Sequence, residues 1–389
     1  MIEVSVVMPC LNEAETVGQC VATARAALSS YGADGEVIVA DNGSTDGSQA
    51  IATAAGARVI PVTERGYGNA LMGGIAAAQG KYVVMGDADM SYDFAEVPRF
   101  LGKLRGGDEL VQGCRLAGGG GTVLPGAMPP LHRFWGNPMF SWMARVWFRA
   151  PIHDVHCGLR GFTADLYRRL DLTCTGMEFA SEMVIKASLA RARISEVPIT
   201  LHPDGRRGRK PHLRTFRDGW RHLSFYLIYS PRWLFLAPGL ALVLFGILGY
   251  AIAMPGLRIK GVTFDVSTLL FASLGFIAGY QSIVFAVLTK VFAIVEGLLP
   301  PDPRIDRLAR IFELERGLII GALVGAGGIV LLLAAVLQWR AKGFGPLDYE
   351  VTLRWVIPGV TLAVLGLQTI LGSFYLRILQ LARRHQTRY

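Results

Sequence analysis

Beyond about residue 230 the chain turns almost wholly apolar, and it does so in four long stretches, about 234–254, 267–295, 318–339 and 356–379. Each approaches or exceeds the ~20 residues that an α-helix needs to cross a bilayer. Helices buried in a soluble core are rarely so long or so free of charge. The sequence therefore predicts two parts, a domain over 1–230 and a four-helix transmembrane domain over 231–389. Composition agrees: 52% of residues are hydrophobic and 18% charged, against about 25% charged in an ordinary soluble domain. Gln281 and Lys290 interrupt the second stretch, and Lys290 stands near its end, where its stem can snorkel to the headgroups.

Charge orients the spans. Arg304, Arg307, Arg310 and Arg316 lie between the second and third, and Arg377, Arg383, Arg384 and Arg388 in the tail, while the loop between the first two carries only Arg258 and Lys260. The excess of positive residues on cytoplasmic loops puts the tail, the middle loop and the N-terminal domain in the cytoplasm, and Met1-Ile2-Glu3 opens without a signal-peptide pattern. The formal net charge of +9 gathers before the first span, in Arg206, Arg207, Arg209, Lys210, Arg214, Arg217 and Arg221. That placement favours anionic lipid and diphosphate over nucleic acid. Five scattered cysteines without Cys-x-x-Cys spacing read as reduced, buried thiols.

The first 115 residues alternate apolar runs with helical patterns. Val4–Met8, Val37–Ala40, Val59–Val62 and Tyr82–Met85 read as strands, which predicts an α/β domain whose sheet is mostly parallel, covered on both faces, with its ligand crevice outside the carboxyl ends of the strands. Glu13, Asp41, Asp87 and Asp89 all stand at such ends. The pair in Asp87-Ala88-Asp89 supplies hard oxygen ligands for Mg²⁺ or Mn²⁺ with a diphosphate. Asp41-Asn42-Gly43 has turn chemistry, and Ser44 to Asp46 either caps the next helix or serves a ligand. Gly66-Tyr67-Gly68 is no dinucleotide fingerprint, because it does not follow the first strand, and no P-loop occurs.

With Pro9-x-Leu11-Asn12-Glu13, Asp41–Asp46, Asp87-Ala88-Asp89 and Gly113-Cys114-Arg115 in that order, the chain resembles the family 2 glycosyltransferases of GT-A fold, and among them the polyprenyl-phosphate hexosyltransferases of the dolichyl-phosphate mannose synthase kind. The resemblance covers about the first 230 residues. It implies transfer of one hexose, with inversion, from a nucleotide diphosphate sugar of GDP-mannose or UDP-glucose type to a polyprenyl or dolichyl phosphate. By that resemblance Pro9, Leu11, Asn12, Glu13, Asp41, Gly68, Asp87, Ala88, Asp89, Arg115 and Arg206 bind the nucleotide sugar. Asp89, Arg115 and Asp154 carry catalysis, and Asp87, Asp89 and Ser91 hold the metal. Asp154 begins an Asp-x-x-x-Gly-x-Arg stretch that includes His156 and Arg160, and Glu182 is a contact on the sugar or acceptor side. The family's later basic loop survives as Arg206-x-x-Arg209-Lys210-Pro211-His212, with His212 where a lysine is usual.

An ionised lipid phosphate needs no strong base, so positioning and charge stabilisation suffice for the transfer. Segments 131–149 and 213–230 mix aromatic with basic residues, three Trp within 13 residues in the first, and suit the headgroup layer. In the first of them Arg133 and Asn137, one helical turn apart, can present donors to the acceptor phosphate. Two rivals stand beside this reading: a processive polysaccharide synthase of the same fold, whose Gln-x-x-Arg-Trp motif is absent, and a non-catalytic carrier of lipid-linked sugar, which the scarcity of polar residues in the spans disfavours. The sequence leaves a homo-oligomer open.

Overall fold

The computed structural model describes residues 2–206, 215–296, 299, 302–303 and 314–386. His212 of the basic loop lies outside the described residues, as do Arg207, Arg209, Lys210, Arg214, Arg304, Arg307, Arg310 and Arg388. The chain divides into two compact units, Met1–Tyr226 and Leu227–Tyr389, a few residues before the expected boundary at 230.

In the first unit, β1 (Val4–Cys10), β2 (Gly35–Asp41), β3 (Arg58–Pro61), β4 (Tyr82–Met85), β5 (Leu110–Cys114), β7 (Arg160–Thr163) and β8 (Ile194–Pro198) form one sheet in the order β3-β2-β1-β4-β7-β5-β8, while β6 (Thr122–Val123) pairs apart with β9 (Thr200–Leu201). Strands alternate their side chains between two faces. Val4, Val6, Met8, Val37 and Val39 share a core with the helix Val17–Tyr31 and with Phe100, Leu101 and Leu104 of the helix Val97–Arg105. On the opposite face the helix Tyr67–Ala76 lies so close that a Cβ at Gly74 would stand 2.6 Å from Val7 and 2.9 Å from Ala40. Helices thus cover both faces, as the near-continuous apolar strands require.

The sheet departs from full parallelism at one strand. β7 runs antiparallel to both β4 and β5, which leaves β4 and β5 parallel to each other. The register sets Cys10 opposite Asp41 and Asp41 opposite Pro61, so the strand ends of β1 to β3 stand level. Because β7 is reversed, its first residue meets that same edge and its preceding segment, 154–159, enters the crevice from there.

The second unit contains Arg232–Ala253, Val266–Val295, Leu314–Ala341 and Tyr349–Gln386, four helices long and apolar enough to cross a membrane. The last two run beyond their apolar cores into polar flanks, and the fourth passes Pro358 unbroken. Their contacts use small residues and paired hydroxyls, the usual means of joining helices in lipid. A Cβ at Gly328 would lie 2.4 Å from Ala363 N, and one at Gly366 2.5 Å from Gly321 O. Thr361 pairs with Tyr250 at 2.8 Å and Ser273 at 2.5 Å, and Thr369 pairs with Tyr280 at 2.6 Å.

Candidate active site

The loops after β1 and β2 close on each other like two halves of a clasp. Ser44 Oγ accepts from Asn12 N at 2.8 Å, Asn12 Oδ1 from Thr45 N at 2.8 Å, Ser48 Oγ from Glu13 N at 2.8 Å and Asp46 Oδ2 from Ala14 N at 3.1 Å. Asn12 takes a left-handed φ of 61° to make this fit. So Ser44, Thr45 and Asp46 tie the loops together. Asp41, 1% exposed, accepts from Gly43 N, Ser44 N and Gln49 Nε2, the last at 2.6 Å.

A cavity of about 1260 Å³ opens beside this clasp. Of the residues expected from sequence to bind donor, metal or acceptor, Pro9, Leu11, Glu13, Asp87, Ala88, Asp89, Ser91, Arg115, Arg133, Asn137 and Arg206 line it. Asn12, Asp41, Gly68, Asp154 and Glu182 are absent from its lining, and each has a structural reason.

Gly68 sits against the 173–175 segment, donating its N–H to Thr175 O at 2.9 Å, and a Cβ there would be 2.2 Å from Cys174 O. Glu182, fully buried, accepts from Thr173 N and Cys174 N and pairs with Lys186 at 2.8 Å, so it anchors that same segment. Asp154, also fully buried, receives Arg115 N at 3.0 Å, Nε at 2.7 Å and Nη2 at 2.9 Å. In the structure the polar atoms of Asp41, Asp154 and Glu182 are held by groups of the protein, and these contacts fix the loops beside the cavity. Burial opposes the charge of Arg115, but Asp154 outweighs it and holds the guanidinium well above its ordinary pKa.

Arg206 reaches Glu13 from 193 residues away and also meets Asp89. The pair β6/β9 delivers it, since His202 N donates to Ser91 O at 3.0 Å and Gly205 N to Asp89 O at 2.8 Å. Its Nη2 stands 2.5 Å from Glu13 Oε1 and 3.2 Å from Asp89 Oδ2. The guanidinium is thus the cation the acids hold. Ser91 Oγ donates to Asp89 Oδ1 at 2.6 Å, and Met90 between them adopts φ 66°. Asp87 accepts from Tyr67 OH at 2.9 Å, and burial, then the charge of Asp89, pushes its pKa up to about 7.

Among the described residues no three His, Cys, Asp or Glu side chains converge into a ready-made metal cage. The oxygens of Asp87, Asp89 and Ser91 still fit Mg²⁺ or Mn²⁺, which binds through one or two carboxylates and takes its other ligands from phosphate and water. Asp89 already shares the positive charge of Arg206 with Glu13.

The other half of the cavity is aromatic and apolar. A wide π-type turn, His132–Gly136, leads into the helix Asn137–Phe148, and Met128, Leu131, Phe134, Trp135, Met139 and Phe140 line this half. Phe134 is 66% and Trp135 74% exposed, so part of this surface faces outward. Tyr67, Tyr92, His156 and His222 also line the cavity, and the sequence reading assigned none of them a role. For Tyr67 the signal was its place at the start of the helix that follows β3.

Comparison with known proteins accords with this geometry. Residues 5–171 match the glycosyl transferase family 2, and residues 287–380 match the glycosyltransferase family 2 C-terminal transmembrane region. The chain is 38% identical over 374 residues, 96% of its own length and 88% of the relative's, to the low-salt glycan biosynthesis hexosyltransferase Agl6 of Haloferax volcanii. The chain belongs to glycosyltransferase family 2. A dolichyl-phosphate hexose transferase of the same organism is 32% identical over 51% of this chain and 82% of its own. Glucosyl-3-phosphoglycerate synthase from Mycobacterium tuberculosis, crystallised with Mn²⁺, UDP and glucosyl-3-phosphoglycerate, aligns with 58% of this chain and 78% of its own at 23% identity and a TM-score of 0.45. As a family member the protein is a glycosyltransferase that carries a transmembrane region.

Proposed function

We propose that this enzyme moves one hexose, with inversion, from a nucleotide diphosphate sugar onto a polyprenyl or dolichyl phosphate at the cytoplasmic face. One observation carries the reading: a single cavity joins a charged half, with Asp87, Asp89, Arg115 and Arg206, to an aromatic and apolar half that contains Arg133 and Asn137. A diphosphate suits the first half and a prenyl chain ending in phosphate the second. The likeness to a dolichyl-phosphate hexose transferase supports that acceptor.

Arg115, held by Asp154, and Arg206 place fixed positive charge where negative charge grows on the departing diphosphate. Asp87 and Asp89 would hold the Mg²⁺ or Mn²⁺, which supplies further positive charge to that leaving group. Arg133 and Asn137 orient the acceptor phosphate, and Asn137 Nδ2, which donates to Met128 Sδ at 3.2 Å, exchanges a weak acceptor for a strong one. The exposed rings of Phe134 and Trp135 rest in the headgroup layer, where amphipathic aromatic segments settle.

The test is an assay of the full chain in detergent with lipid phosphate and a panel of nucleotide sugars, with Asp89→Ala as the control. Arg133→Ala is expected to raise the KM for lipid phosphate far more than that for the donor. Transfer without metal, transfer with no donor in the panel, or equal effects on both KM values would each defeat the reading.

A further inference from the structure

Asp154 aims Arg115, and its own aim is set by its main chain, both polar atoms of which end on side chains. Glu196 Oε1 accepts from Asp154 N at 3.2 Å and from His153 N at 2.6 Å, while Glu196 Oε2 pairs with His153 Nδ1 at 2.7 Å. Gln112 Nε2 donates to Asp154 O at 3.1 Å and to Cys157 O at 3.0 Å. The two side chains share one place in the fold. Gln112 on β5 stands opposite Glu196 on β8 in parallel register, so both point to the same face of the sheet. Arg115 follows Gln112 by three residues, and its N–H donates to Asp154 Oδ2 at 3.0 Å. One stretch of chain thus carries both the cation and the amide that fixes its counter-ion.

Gln112 is fully buried, and its Oε1 has no hydrogen-bond partner among the described residues. Turning the amide does not cure this, because Asp154 O and Cys157 O only accept and require the NH2 group. A buried acceptor left unmet lowers stability, so packing alone favours methionine or leucine at this position. What glutamine supplies and those do not is a pair of donors. Cys157 O also receives Arg160 Nη2 at 2.6 Å, whereas among the described residues Asp154 O receives Gln112 alone. The donor that matters is therefore the one on Asp154.

We propose that Gln112 and Glu196 are positioning residues of the transfer reaction: together they fix the main chain of Asp154, and thereby the direction in which the Arg115 guanidinium faces the departing diphosphate. Neither side chain lines the cavity, so both act through Asp154 and Arg115. The inference rests on the transferase reading and extends it by two side chains. Negative charge on the diphosphate grows as its bond to the sugar breaks, so a misdirected Arg115 slows the chemical step more than it weakens donor binding.

The experiment measures kcat and the donor KM of the full chain in detergent with Mg²⁺, lipid phosphate and UDP-glucose or GDP-mannose. Gln112→Met, close to glutamine in size, removes the donors together with the unmet acceptor. Its kcat should fall by about ten- to a hundredfold, the cost of a small misplacement of a catalytic group. Its donor KM should stay within about twofold of the parent, and its melting midpoint within about 4 °C. Glu196→Met should behave alike, while Glu196→Gln, whose Oε1 still accepts from both amides, should recover most of the rate. Either methionine variant carries the test where the other does not fold. An unchanged kcat in Gln112→Met, a loss confined to the donor KM, or a Glu196→Gln no faster than Glu196→Met overturns the inference and leaves the transferase reading standing. Loss of the folded protein in both methionine variants overturns it too, since these side chains would then hold the domain and not the direction of Arg115. Absence of transfer by the unaltered chain with every nucleotide sugar defeats the transferase reading, and the inference with it.

Discussion

Removing the Asp154 carboxylate isolates what the Arg115 pair contributes. Asp154 is fully buried and receives three hydrogen bonds from Arg115, itself 8% exposed. Asp154→Ala leaves a guanidinium in a low-dielectric interior with only Tyr92 OH, at 3.4 Å, beside it. Breaking a buried pair in this way costs about 3–5 kcal/mol, a large part of the ~5–15 kcal/mol that holds a domain together. For a unit of this size, at about 2–4 °C per kcal/mol, the thermal midpoint should fall by about 6–20 °C. The double variant Arg115→Met/Asp154→Leu replaces both partners by apolar groups, an exchange that is often neutral or stabilising. It should regain most of the lost stability without regaining transfer, because the charge facing the cavity is gone. Thermal denaturation of the full chain, followed by a probe in the first unit, and transfer measured on the same preparations give both readouts. A single variant within about 1 kcal/mol of the parent would refute the reasoning, as would a double variant that still transfers sugar.

Chelation of divalent ions, and separately Asp89→Ala, should each abolish transfer, and only the chelated enzyme should recover on adding Mg²⁺ or Mn²⁺. Asp87 binds its proton up to about pH 7 in the folded chain and loses it near pH 4 when unfolded, so metal-free stability is greatest below that window and falls as pH rises through it. Melting midpoints between pH 5 and 8 should show this decline, and Asp87→Asn should flatten it. Gly68→Ala drives a Cβ into the Cys174 carbonyl, which backbone cannot yield cheaply, and should lower the melting midpoint more than Gly102→Ala, where a Cβ meets only Tyr31 OH at 3.5 Å. In the second unit, Gly328→Val should separate Leu314–Ala341 from Tyr349–Gln386 and be read as loss of the folded species in size-exclusion profiles.

Much of the first unit was legible because its early strands are apolar runs that end at loops of distinctive polarity. Glu13, Asp87 and Asp89 follow strands whose register sets them along one edge, so chain order predicted their assembly, whereas Pro9, Leu11, Ala88 and Arg115 came from the resemblance to a family. β7 was not legible: Arg160–Thr163 is short, and no periodicity reveals that a strand is reversed. That reversal brings His156 to the crevice. Asp41, Asp154 and Glu182 show a second limit, since residue type does not reveal which groups of the protein hold a carboxylate. Only their partners, Gln49, Arg115 and the amides of Thr173 and Cys174, tell them apart. The apolar spans were found from length and hydropathy, while their ends, set by where polar flanks stop being helical, shifted by several residues.

Arg206 lies between Glu13 and Asp89 on a loop stitched to the acid-bearing turn by two main-chain hydrogen bonds. The segment that carries Arg206 and the turn that carries Asp89 are thus fastened main chain to main chain, so backbone rather than a long side chain alone sets the spacing between the guanidinium and the carboxylates.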